Sequence, residues 1–266
     1  QGEENIDDPQ ILCLNNSPLT LFTENPGAIY NYQWTDETAT ILGNTSTLDV
    51  TSAGKYTVTA SDQFPDGCSR TKTIVVVESN VATLTDSNIV IVDESNSISN
   101  QENLSVLIET RNNVLGPGDY QFAILNNDNG TRIPFVGFQD EPLFENLEGG
   151  IYTIIVNDKN GCQPDTTLQI SVLQFPKFMT PNGDAKNDTW RVKGVNKTFY
   201  SDASINIFDR FGKLIAQLPI DSQGWNGTYN GKIMASNDYW YNVTLIPIKE
   251  PKLPINKVGH FSLLRK

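Results

Sequence analysis

The side chains that could carry out chemistry are few. A single histidine, His260, stands beside 31 Asp+Glu, 19 Lys+Arg and three cysteines in 266 residues, with a formal net charge of −12. Acyl transfer, metalloproteolysis and phosphoryl transfer each need a recognisable constellation. The chain has no Gly-x-Ser-x-Gly elbow, no His-Glu-x-x-His pair and no phosphate-cradling loop. Only carboxylates remain as acid or base candidates. The pairs Glu3-Glu4, Asp7-Asp8 and Asp140-Glu141 read as solvated loops of an acidic chain and His260 as surface or core filler, so no enzyme activity is expected. One oxygen-rich stretch stands apart. Asn182, Asp184, Asn187 and Asp188 follow Pro181 in a pattern that resembles part of a calcium loop, without its bidentate glutamate. The same residues suit a turn, because proline fixes φ, Asn and Asp side chains bond nearby amides and Gly183 accepts positive φ. A calcium site and a purely hydrogen-bonded turn both stay open.

The cysteines suggest redox chemistry of a structural kind. Cys13, Trp34 and Cys68 reproduce the Cys…Trp…Cys order of an intersheet bridge in an immunoglobulin-like sandwich, which predicts a Cys13–Cys68 disulfide and an oxidising, extracytoplasmic setting. Loop closure makes such a bridge worth about 3 to 5 kcal/mol. Cys162 is expected to be unpaired and buried as a small apolar group, since no cysteine precedes it in its own module.

The elements that must position these residues are strands. Tyr30–Trp34, Lys55–Ala60, Tyr120–Ile124 and Ser204–Phe208 alternate with period two, and turn residues recur every 8 to 12 positions. Ser97 to Asn113 is the one ambiguous stretch. An internal repeat divides the acidic part. Gly54-x-Tyr56 leads through Asp62 to Gly67-Cys68, and Gly150-x-Tyr152 leads through Asp158 to Gly161-Cys162. A Gly-x-Tyr opening a penultimate strand suits a sandwich in which the tyrosine hydroxyl ties back to the backbone. With 38% apolar residues the composition is that of a folded protein, and no stretch of about 18 apolar residues could span a membrane. The beginning, Gln1-Gly2-Glu3-Glu4, has neither a basic nor an apolar leader region, so a mature protein or a piece of a longer one is expected.

Charge is divided unevenly. Residues 1–174 hold 6 Lys+Arg against 24 Asp+Glu, net −18, whereas residues 175–266 hold 13 against 7, net +6. The asymmetry suggests a solvated, self-repelling part and a part that docks onto something anionic. Nucleic acid is not the expected partner, because the basic part lacks a dense Lys/Arg stripe and the rest would repel phosphates.

Thirteen of the 25 aromatic residues fall in the last 92 positions. The motifs there are dense: Phe175 to Trp190 around Pro181-Asn182-Gly183-Asp184, then Ile205 to Leu214 around Asp209-Arg210-Phe211-Gly212-Lys213. Gly224-Trp225-Asn226-Gly227, Asp238-Tyr239-Trp240 and Gly259 to Lys266 follow. This set, in this order, is similar to the gliding-motility-associated C-terminal domain, the type B sorting domain of the type IX secretion system of Bacteroidota. The modules before it resemble the immunoglobulin-like or PKD-like repeats of large surface adhesins.

The resemblance implies an all-β chain of three tandem immunoglobulin-like β-sandwich domains, at residues 1–79, 80–174 and 175–266. It implies a folded signal that carries cargo through the translocon to the cell surface and holds it at the outer membrane. The partner would be an outer-membrane barrel of the PorP/SprF type, and the chain would be peripheral to the membrane rather than spanning it. Ala185 stands where the family has glycine, which puts a left-handed backbone there in doubt.

Docking residues follow from the same motifs. Asp209, Arg210 and Gly212 are expected in a hairpin connection. Trp225 and Trp240 are core aromatics or docking groups, and Tyr239 and Tyr241 are expected on the exposed side of their strand. Gly259, Phe261 and Leu263 form a last strand that could pair with a partner's sheet edge, flanked by a basic face of Lys249, Lys252, Lys257, Arg265 and Lys266. The alternative reading is a binding module whose acidic sandwich loops recognise carbohydrate or protein.

Overall fold

The computed structural model describes residues 9–23, 29–63, 67–93, 104–249 and 253–265; Glu3, Glu4, Asp7, Asp8, Lys252 and Lys266 lie outside them. Strands β1 (Gln10–Cys13), β2 (Leu19–Phe22), β3 (Tyr30–Thr35), β4 (Ile41–Gly43), β5 (Thr47–Val50), β6 (Gly54–Asp62) and β7 (Ser69–Ser79) come first. They form a five-stranded sheet, β1-β7-β6-β3-β4, facing a β2-β5 pair. Alternation turns Leu12, Leu21, Trp34, Tyr56, Val58 and Val76 inward as one core. Next come β8 (Ile89–Asp93), β9 (Leu104–Ile108), β10 (Tyr120–Asn126), β11 (Arg132–Ile133), β12 (Leu143–Leu147), β13 (Gly150–Asp158) and β14 (Thr166–Val172). Here β11-β10-β13-β14 packs on β12-β9-β8 around Val106, Phe122, Phe144, Tyr152 and Ile154. No α-helix occurs among the described residues. Within the ambiguous Ser97–Asn113 stretch, residues 97–103 lie outside the described set, Leu104–Ile108 is a strand and Arg111–Asn113 a 3-10 turn.

The last seven strands are β15 (Phe178–Met179), β16 (Tyr200–Phe208), β17 (Leu214–Leu218), β18 (Thr228–Tyr229), β19 (Lys232–Ile233), β20 (Asn237–Pro247) and β21 (Ile255–Leu263). Their main sheet is β15-β21-β20-β16-β17, and a short β18-β19 hairpin belongs to the opposite layer. That layer is otherwise irregular chain, held by an isolated bridge between Trp190 and Trp225.

The tyrosine expectation holds in both repeats. Tyr56 Oη donates to the Ser52 carbonyl at 2.9 Å and Tyr152 Oη to the Glu148 carbonyl at 2.7 Å. Tyr239 does the same to the Ala235 carbonyl at 3.0 Å, so the third domain carries the corner as well.

The disulfide differs from expectation. Cys13 is bonded to Cys162, with Cα atoms 5.5 Å apart, and Cys68 is a free, exposed thiol. Strand register gives the reason. β1 runs parallel to β7 and places Cys13 beside Ser79, at the far end of β7 from Cys68. Eleven strand residues at about 3.3 Å each separate those ends by roughly 35 Å, whereas a disulfide needs Cα atoms within about 7 Å. Cys162 is buried as expected, but by its partner rather than as a leftover thiol. The bond therefore staples the first two modules together. Around it Ser79 Oγ donates to Asp158 Oδ2 at 2.8 Å, Asn160 Nδ2 donates to Ser79 Oγ at 3.1 Å and Asn15 Nδ2 donates to the Gln163 carbonyl at 2.9 Å.

A second junction joins β14 to the third domain. Gln174 and Lys193 exchange backbone hydrogen bonds, and the buried Gln174 side chain accepts from the Gly149 amide at 2.8 Å. Ser171 Oγ donates to the Gly194 carbonyl and also meets Tyr200 Oη at 2.9 Å. Gly194 has φ +79°, and a Cβ there would collide with the Val172 carbonyl, so this position requires glycine. Lys249 reaches across to Asp86 at 2.6 Å.

Candidate functional site

The third domain is organised around its last strand. β21 runs antiparallel to β20 along its whole length, from Ile255 opposite Leu245 to Leu263 opposite Asn237. Its final residues also pair with β15, Phe178 beside Ser262 and Met179 beside Leu263. Phe261 and Leu263 are fully buried, which makes them core residues and not the docking residues expected from the motif.

Aromatic packing accounts for most of the other motif residues. Trp190 stacks on Phe261 with centroids 4.5 Å apart and leans on Tyr241 at 4.9 Å; Trp225 meets Tyr239 edge-on at 4.9 Å. Such pairs add about 0.5 to 1.5 kcal/mol each beyond buried area. Each indole N–H is satisfied, Trp190 by the Pro176 carbonyl at 2.8 Å and Trp225 by the Thr228 carbonyl at 2.7 Å. The alternation expected for β20 is inverted. Tyr239 and Tyr241 point inward and are buried, whereas Trp240 points outward and is 41% exposed. Burial raises the pKa of both tyrosines. Gly259 lies against the Tyr241 ring, where a Cβ would meet the hydroxyl. Arg265 is also structural, its guanidinium donating to the carbonyls of Met234 at 3.1 Å and Gly227 at 2.9 Å.

The Asp209–Lys213 segment connects β16 to β17 as a hairpin, as expected. Asp209 Oδ1 accepts from the amides of Phe211 at 2.9 Å and Lys213 at 3.0 Å, and Gly212 takes φ +80° to close the turn. At its tip Arg210 lies over the Phe211 ring at 4.7 Å, and that ring is 80% exposed. Phe211 is a surface feature the sequence reading passed over.

The oxygen-rich stretch is built as a turn. Asp188 Oδ1 accepts from the amides of Asn182 and Gly183, both at 2.8 Å, and Asp188 Oδ2 from the amide of Ala185 at 2.8 Å. Asp184 Oδ1 accepts from the Lys186 amide at 2.8 Å, while the Asn182 amide group bonds Asp184 Oδ2 and holds that carboxyl below its ordinary pKa. These carboxylate oxygens are turned onto backbone amides. Among the described residues no group of three or more His, Cys, Asp or Glu side chains is placed to hold a metal. Ala185 and Asn187 both take left-handed conformations, φ +65° and +54°, so the backbone keeps its geometry although Ala185 carries a Cβ.

Of the basic face, Lys249 is engaged with Asp86 and Arg265 with carbonyls, while Lys257 is exposed and sits 5.9 Å from the Phe175 ring. What remains at the surface is the first part of β21. Ile255 to His260 pair with β20 on one side, and no strand among the described residues pairs with them on the other. Val258 on this edge is 72% exposed, and across the outer face of the sheet Phe208, Trp240 and His260 stand in one cross-strand row.

Comparison with known proteins bears on this domain directly. Residues 173–259 match the model of the CHU_C type IX secretion signal domain. No curated protein matches the chain. Among solved structures, the chain is similar to Dpr2 Ig1-Ig2 in its complex with DIP-Theta Ig1-Ig3, at 9% identity over 98% of both chains with a TM-score of 0.30. It is similar to a Ca2+-stabilized adhesin with which an Antarctic bacterium binds ice, at 9% identity over 96% of this chain and 72% of that one with a TM-score of 0.29. It also shows likeness to dimeric latent PorU from Porphyromonas gingivalis, at 11% identity over 100% of this chain and 33% of that one with a TM-score of 0.24. Scores this low establish no shared arrangement, and the all-β assignment rests on the sheets themselves. The folded region that begins at the Gln174 junction and is centred on Trp190, Tyr241 and Phe261 is a type IX secretion signal domain of the CHU_C family.

Proposed function

We propose that this chain is part of a cell-surface protein of the gliding-adhesin type, in which the last domain is a folded export signal and the two modules before it form a stalk. The match of residues 173–259 to the secretion signal domain carries the reading. No catalytic step is assigned to it. We place the contact with an outer-membrane partner of the PorP/SprF type, or with the translocon, on the open edge of β21 from Ile255 to His260 and on the adjoining Trp240–His260 face. An open edge offers unpaired backbone donors and acceptors to an added strand, and exposed Val258 offers apolar area beside it. The protein would then sit at the outer membrane without crossing it.

The test is a secreted reporter fused to residues 173–266 in a bacterium that has the type IX system, with surface display as the readout. Display is expected for the native domain and its loss for Val258→Asp, a substitution at an exposed position that leaves the buried Phe261 and Leu263 in place. Absence of display for the native fusion would refute the export role, and full display of the variant would refute the edge assignment.

A further inference from the structure

The internal repeat makes a prediction about the free thiol. Asp62 and Gly67-Cys68 occupy the places in the first module that Asp158 and Gly161-Cys162 occupy in the second. In the second module that end is covered. Cys162 is buried against Cys13 of the preceding module, its amide donates to Asp158 Oδ2 at 3.1 Å, and the same carboxylate accepts from Ser79 of the preceding module. In the first module no described residue is bonded to the equivalent cysteine. Cys68 is exposed there and lines a groove of about 530 Å³ with Phe22, Tyr30, Tyr32 and Arg70. Phe22 on its wall is 67% exposed.

We propose that this end of the first module is a docking site for another immunoglobulin-like module carrying a cysteine at the end of its first strand, and that Cys68 forms a disulfide with it. The observation that names the occupant is internal to this chain, where the equivalent residue, Cys162, is already bonded to just such a cysteine. A second copy of residues 1–266 does not supply the partner, because its Cys13 is consumed by its own Cys162. The chemistry is thiol–disulfide exchange with a protein disulfide donor of the extracytoplasmic space. The incoming module's thiolate first attacks the donor disulfide, giving a mixed disulfide. Cys68 Sγ, as thiolate, then attacks the module's sulfur in that bond, the new S–S bond forms, and the donor leaves as its dithiol with the two electrons and two protons. The inference rests on the repeat and not on export, so either can fail alone.

The experiment uses the protein from its native cells, alkylated before lysis, digested without reduction and mapped by mass spectrometry. The expected result is the Cys68 peptide joined to a peptide from another immunoglobulin-like module, with a cysteine at the end of its first strand. In Cys68→Ser cells that partner cysteine should become alkylated while the Cys13–Cys162 peptide pair persists, which shows that the variant has folded. Recovery of Cys68 as an alkylated thiol, bonded to a small thiol, or bonded to Cys68 of a second copy would overturn the proposal.

Discussion

Replacing Cys13 and Cys162 by serine tests how strongly the staple holds the first module. The bond closes a loop of 149 residues. If both modules unfold together, loop-closure entropy assigns the bond about 5 kcal/mol. If the first module opens while the second stays folded, the closed loop is only the stretch from Cys13 to Ser79, and the value falls to about 4 kcal/mol. The buried Ser79–Asp158 contact does not enter this value, since in that opening Ser79 stays attached to the second module. Amide hydrogen exchange reads the opening of each segment separately. A loss of about 4 kcal/mol, at 1.4 kcal/mol per tenfold, corresponds to roughly 10³-fold faster exchange in β3 and β6. The third domain, whose core is separate, should exchange at its original rate. Acceleration of less than about tenfold in β3 and β6 would refute the reasoning, because the unfolded chain would then be restrained by something other than the bond.

Four further outcomes follow from local geometry. Ala185→Gly should stabilise the third domain by about 0.5 to 1 kcal/mol, since it relieves a left-handed non-glycine residue; calcium and chelator should leave the same melt unchanged, as the Asp188 and Asp184 oxygens already bond amides. Gly194→Ala should cost about 2 kcal/mol or more and lower the melting temperature of this domain by roughly 8 to 16 °C, because φ is positive and the new methyl meets the Val172 carbonyl. Burial, and then the charge of Asp158, push the Tyr120 hydroxyl from its ordinary value of 10.0 up to about 12. A raised folded value favours the neutral form, so this contribution is complete below pH 10 and is lost as pH rises towards 12; Tyr120→Phe should flatten that part of the stability profile measured by chemical denaturation.

Much of the architecture was legible because it is written in local patterns. The strands follow period-two alternation, and Gly-x-Tyr marked two corners whose hydroxyls do return four residues. The third corner, at Tyr239, carries no glycine at that spacing and was missed. In Tyr239-Trp240-Tyr241 every residue is aromatic, so alternation alone could not set the phase, and the inward face was assigned to the wrong member. The disulfide was misread for another reason. Its pairing depends on which end of β7 lies beside β1, and a parallel first strand is invisible in the spacing of cysteines. The motif residues that identify the secretion domain were recognisable because they build its core, where each substitution would open a cavity or orphan a polar group. Phe211, Val258 and Trp240, exposed at the surface, take no part in the buried core that the motifs describe, and only exposure in three dimensions distinguishes them.

The staple between the first two modules also decides how the chain bears tension. A pull applied ahead of Cys13 and resisted by the third domain passes through the sulfur–sulfur bond to Cys162 and on into β14, bypassing everything between. The 149-residue separation it spans holds roughly 500 Å of contour length that shear cannot release while the bond stands. For a protein held at a surface, the first two modules would thus act as an inextensible link under load, and reduction of one bond would turn them into slack.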